Sequence, residues 1–184
     1  MPRDVFRPGL TEAPCAVRDR RADTLLLAAV LQLKRHGLNV VSAMPYLRHL
    51  VPDRGTLTHR EPDATTWQDI RFGLDMARRV AGLDIGQTVV IKGRAVVAVE
   101  SLEGTDACIR RGGEVAGGGV TVVKVAKPRQ DPRFDVPVIG LATMESLRAA
   151  GSVALAVEAG KTILLDRDTM ITAANAAGLS IVAL

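Results

Sequence analysis

The chain has 184 residues, of which 47% are apolar and 24% charged, and its formal net charge is +4. That length supports one generous domain or two small ones without staples, and Cys15 and Cys108 stand in no CxxC or Cys/His spacing that would build a disulfide framework or a zinc site. The longest apolar run, Leu25 to Leu31, is too short for a bilayer-spanning helix, and aromatic residues (3%) are too few for a nucleic-acid stacking platform.

The N-terminus has no apolar core of the kind an export signal needs, so the expected compartment is the cytoplasm. The first helix is predicted over Ala22 to His36, with an apolar stripe through Leu25, Leu26, Ala29 and Leu33 and a stop at Gly37. A short buried strand, Asn39 to Ala43, should follow. The prolines, glycine and histidines of Pro45 to Thr58 mark a boundary, which divides the chain into residues 1–57 and 58–184. A second helix is expected over Pro62 to Gly82, capped by Thr66 with Asp69 three residues on.

Gln87 to Lys92 and Ala95 to Glu100 read as a hairpin around Gly93-Arg94. Thr105 to Glu114 reads as helix, Gly117 to Gly119 as a flexible turn and Val120 to Val125 as a buried strand. A polar loop, Lys127 to Asp135, leads to strand Val136 to Ile139, helix Met144 to Ala150, strands Val153 to Val157 and Thr162 to Leu165, helix Asp168 to Ala177 and strand Leu179 to Ala183. This order predicts an α/β or α+β domain with a mixed sheet.

Two segments could carry chemistry. Glu100-Ser-Leu-Glu-Gly-Thr-Asp106 ends a strand and opens a helix, where backbone N–H groups attract phosphate and carboxylates hold a bridging divalent cation. On spacing alone, a plain helix cap beside a solvated Glu103 is the favoured reading. Lys124 to Asp135 gathers four cations and two carboxylates between two strands, the residue types that phosphoryl transfer uses. A surface loop of solvated ion pairs fits that composition about as well. His36, His49 and His59 lack metal-ligand spacing, and Glu158-Ala-Gly-Lys161 reads first as a turn whose charges pair in solvent.

Asp84-Ile-Gly-Gln-Thr-Val-Val90, Val99-Glu-Ser-Leu-Glu-Gly-Thr-Asp-Ala107, Lys124-Val-Ala-Lys-Pro128, Gln130-Asp-Pro-Arg-Phe-Asp-Val-Pro-Val-Ile-Gly140 and Leu155-Ala-Val-Glu-Ala-Gly160 together resemble the LpxI-type UDP-2,3-diacylglucosamine pyrophosphatases. The resemblance covers nearly the whole chain. It implies a catalytic C-terminal domain preceded by the remnant of a Rossmann-like α/β domain whose first segment is missing. It implies magnesium-dependent hydrolysis of UDP-2,3-diacylglucosamine to UMP and 2,3-diacylglucosamine 1-phosphate (lipid X) in lipid A synthesis, with loose association at the inner face of the inner membrane.

Carried onto matching positions, the resemblance assigns Asp106, Asp131 and Asp135 to metal binding or water orientation, with Glu103 a further metal ligand. Thr105, Lys124, Lys127 and Arg133 fall to the substrate. The other reading is a truncated, non-catalytic remnant that binds the UDP-sugar or its lipid product. An unpaired sheet edge would favour self-association. Nucleic acid is not an expected partner.

Overall fold

The computed structural model describes residues 22–128 and 131–184. The chain divides into two compact units between Val41 and Ser42. In the first, α1 (Ala22–Arg35) ends in a Schellman motif: Leu38 N–H donates to Leu33 O and Gly37 N–H to Lys34 O, with Gly37 in the left-handed region at φ +79°. The strand expected at Asn39 to Ala43 does not form. A strand needs a ladder partner, and among the described residues none pairs with this segment.

The second unit holds a six-stranded mixed sheet in the order β1-β8-β6-β4-β2-β3. Its strands are β1 (Gly55–Thr56), β2 (Thr88–Lys92), β3 (Ala95–Val99), β4 (Val120–Lys124), β6 (Ser152–Val157) and β8 (Ser180–Ala183), with β4, β6 and β8 parallel and the others antiparallel. β1 lies inside the stretch read as a boundary and pairs with β8, because Gly55 and Thr56 reach the edge that β8 leaves open. The short β5 (Val138–Ile139) and β7 (Ile163–Leu164) form a separate parallel pair.

One helix, α2 (Ala64–Gly82), covers one face of the sheet, where Ile70, Ala77 and Ala81 pack on Val89, Ile91 and Val123. The opposite face carries α3 (Thr105–Ala116), α4 (Leu141–Ala149) and α5 (Arg167–Ala176), with Ile109, Leu147 and Met170 against Val90, Val122, Leu155 and Ile181. Apolar burial on both faces is what the near-continuous Val, Ile and Leu runs of β4 and β6 require. No helix among the described residues is long and apolar enough to cross a membrane.

The start of α2 differs from the expected cap. Asp63 is the N-cap, accepting from Thr66 N–H at 2.7 Å, and Thr66 lies inside the first turn. Asp69 does not reach back to the cap. It is 6% exposed and accepts from Gly93 N–H (3.0 Å) and Arg94 N–H (2.6 Å) across the β2–β3 turn. Both turn residues have φ +59°, the type I′ signature, so Asp69 holds Arg94 in a backbone region that costs a non-glycine residue. Asp69→Ala is expected to lower unfolding free energy by about 1–3 kcal/mol through two unpaired amides. A urea midpoint matching wild type at an unchanged slope would contradict this role.

Gly117 to Gly119 are all left-handed and end α3, where Lys92 Nζ donates to Ala116 O (2.7 Å) and Gly118 O (2.8 Å). The turn is thus clamped, and it sits at the amino end of β4, away from Lys124.

Candidate active site

Strand alternation decides which side chains meet at the carboxyl ends of β4 and β6. Val120 and Val122 face the α3 side, so Lys124, two residues on, points there as well and is only 7% exposed. Glu100 follows β3 on the same face and is 9% exposed. Thr105 opens α3 after Gly104, whose φ of +81° turns the chain into the helix without a side-chain cap, leaving first-turn amides available.

These residues form a connected chain of polar groups. Lys124 Nζ donates to Thr105 Oγ1 at 2.5 Å, the Thr105 hydroxyl donates to Glu100 Oε1 at 2.6 Å, and Gln87 N–H donates to Glu100 Oε2 at 3.2 Å. Burial pushes the Lys124 ammonium below its ordinary pKa, opposed by Glu100, Asp106 and Asp135. Burial also works to raise the Glu100 carboxyl, but Lys124 and the neighbouring Thr105, Thr88 and Gln87 outweigh it and hold the group below its usual range.

A second arm belongs to Lys127, whose Nζ lies 2.8 Å from Asp84 Oδ1 and 2.9 Å from Asp135 Oδ2. Gln87 joins the two arms: its backbone amide serves Glu100 while its Nε2 donates to Asp135 Oδ2 at 3.2 Å. Asp84 and Asp135 both have positive φ (59° and 54°), a conformation aspartate tolerates better than most residues. Asp106, in the first turn of α3, has a buried Oδ1 with no hydrogen-bond partner among the described residues.

Thr105, Asp106, Lys124, Lys127 and Asp135 are therefore linked through one electrostatic cluster. Glu103 is engaged elsewhere, its Oε1 taking the Arg111 guanidinium and its Oε2 the Ser101 N–H, and the Arg111 bond holds its carboxyl below the usual range. Asp131 and Arg133 pair in a fork, Nη2 to Oδ2 at 2.6 Å and Nε to Oδ1 at 3.0 Å, which likewise lowers the Asp131 pKa. Arg133 also lies 5.9 Å from the Phe134 ring centre. Among the described residues no three His, Cys, Asp or Glu side chains converge as metal ligands. Arg129 and Gln130 of the same loop lie outside the described residues.

Glu158 corrects the solvated-turn reading. It is 4% exposed, accepts from Arg78 Nε (3.1 Å) and Nη2 (2.8 Å) through Oε1, and takes Ala126 N–H (3.0 Å) on Oε2, while Lys161 is at 3.6 Å. It points to the α2 face because Val157 before it faces the other way. Glu158 thereby ties α2 to the segment that leads into Lys127. From sequence, Gln87 and Arg78 had no role, Glu100 only opened a candidate segment and Glu158 was a solvated turn charge. The available signal was a carboxylate directly after an apolar strand, seen at both Glu100 and Glu158. Beside Lys127 a cavity of about 220 Å³ opens, lined by Met44, Ala126, Lys127, Pro128, Pro132 and Lys161 among others.

The family model described as the LpxI C-terminal domain matches residues 53–182. A curated relative from Caulobacter vibrioides, named UDP-2,3-diacylglucosamine pyrophosphatase LpxI, is 35% identical over 173 residues. The match takes in 89% of this chain and 61% of the relative, so the chain spans less than two thirds of that protein's length.

Proposed function

The chain belongs to the LpxI C-terminal domain family, and on that premise we propose that it carries the catalytic part of a hydrolase that cleaves the pyrophosphate of UDP-2,3-diacylglucosamine into UMP and 2,3-diacylglucosamine 1-phosphate. The observation that carries this reading is the joined pair of lysine arms, Lys124 with Thr105 and Lys127 with Asp135, beside the uncapped start of α3. Two ammonium groups and first-turn amides suit the two phosphates of a nucleotide diphosphate, and a carboxylate among them can orient the attacking water. Arg133, held by its fork with Asp131, would join the lysines on the diphosphate through its remaining N–H donors.

Magnesium fits this arrangement through Asp106, whose buried oxygen, unpartnered among the described residues, is a donor of the hard type the ion prefers. Magnesium is commonly held by only one or two carboxylates plus substrate phosphates, so Asp106 with Asp135 would serve without a protein-only cage. When bound, the ion would supply charge neutralisation on the phosphoryl oxygens. Asp131 and Glu103 are each already paired with an arginine, Arg133 and Arg111. A diacylated substrate and product favour a cytoplasmic enzyme working at the inner face of the inner membrane.

Purified chain with magnesium and substrate is expected to release UMP, with release abolished by EDTA and restored by added magnesium. Binding of the lipid product without any UMP release would leave a non-catalytic remnant as the better description.

A further inference from the structure

We infer that Glu100 is a positioning residue, whose carboxylate orients the Thr105 hydroxyl so that it accepts from Lys124 and aims that ammonium at an anionic phosphate oxygen. The choice of ligand rests on the hydrolase reading above, while the hydrogen-bond geometry stands independently of it.

A threonine hydroxyl has one proton to give. Here it goes to Glu100 Oε1 at 2.6 Å, which turns the oxygen lone pairs of Thr105 toward Lys124 Nζ. Glu100 is itself held from the far side by Gln87 N–H, so its two oxygens are both committed. The ammonium carries three donors and spends one on Thr105, which leaves two for a ligand at the start of α3. Without a fixed acceptor, a buried lysine on a four-carbon stem would have several rotamers open to it. Glu100 does not itself need to touch the ligand. Its place directly after β3 and its near-complete burial make it a fixed support for the Thr105–Lys124 pair, of which Lys124 makes the contact.

The chemistry also says why a carboxylate is required rather than any polar group. A glutamine at this position keeps the shape but owns one acceptor oxygen and one donor nitrogen. With Gln87 N–H on one side and the Thr105 hydroxyl on the other, one orientation sets a donor against the Gln87 amide, and the other makes Thr105 an acceptor from the side-chain amide, so that its proton is no longer held away from Lys124.

The test uses Glu100→Gln and the near-isosteric Thr105→Val in the full chain. In ¹⁵N-labelled wild-type protein the Lys124 ammonium, assigned by its disappearance in Lys124→Arg, is expected to give a slowly exchanging proton signal, lost in both Glu100→Gln and Thr105→Val. Each variant is expected to reduce kcat about 10-fold to 100-fold with KM changed far less, and the double variant is expected to match the single ones because they break one unit. A purely structural Glu100 would lower stability and leave the Thr105→Val loss to multiply in full. An unchanged Lys124 signal in Glu100→Gln, or multiplying losses, overturns the inference. A wild-type chain that shows the Lys124 signal but no turnover would count against the hydrolase reading alone, and the ammonium signals of the variants would still decide the role of Glu100.

Discussion

Replacing Asp135 by asparagine is expected to slow UMP release by a factor on the order of 10² to 10³ while the unfolding midpoint stays close to wild type. The backbone at this position has φ +54°, which asparagine adopts as readily as aspartate, so the fold has no reason to change. What changes is the charge. Asp135 accepts from Gln87 and pairs with Lys127, and it is one of the three carboxylates acting on Lys124. Its removal takes away an ionised oxygen that a metal or a water could use, and it leaves Lys127 with Asp84. Asp131→Asn is expected to cost activity on a similar scale, because it dismantles the fork that sets Arg133. Wild-type turnover in both variants would remove this loop from the catalytic site.

Gly113→Ala is expected to damage the core, lowering unfolding free energy by about 2–4 kcal/mol. In an ordinary helix interior the same change would stabilise by roughly 0.5–1 kcal/mol. Here a Cβ would stand 2.4 Å from Ala150 Cα and 2.6 Å from Ala150 O, and these are backbone or backbone-bound atoms that cannot swing aside. α3 and α4 would have to separate, opening voids around Ile109 and Leu147, so steric overlap outweighs the helical gain. Gly73 offers a contrast, since its close neighbours are the side-chain atoms of Val123 and Ile91. Chemical denaturation of Gly113→Ala decides the matter: stability equal to or above wild type would mean the helices tolerate the extra methyl.

Much of the fold was legible because it depends on local periodicity. The apolar runs at Thr88 to Lys92, Val120 to Lys124 and Ser152 to Val157 became strands close to where the residue pattern placed them, and the helices after Thr105 and Arg167 likewise. The failures were non-local. Asn39 to Ala43 had the composition of a strand and no neighbour to pair with, whereas Gly55 and Thr56 looked like linker and found the free edge of β8. Thr66 lost the cap to Asp63 because a carboxylate three residues before the free amide is the better placed acceptor.

The chemical types at the candidate site were set by the sequence alone: lysines, carboxylates and a threonine in short loops after apolar strands, in an order that resembles one family. Which of them meet was decided by tertiary structure. Strand alternation turned Lys124 toward α3 and Glu158 toward α2, and the antiparallel pairing of β2 with β4 brought Gln87 alongside, where it links Glu100 to Asp135. Linear order could not reveal that Glu103 would be taken by Arg111, or that Asp106 would keep a buried oxygen unpartnered among the described residues. The physical reason is that hydrogen bonds and ion pairs are short-range and directional. They depend on where the sheet register and helix packing leave each side chain, and those are properties of the assembled core.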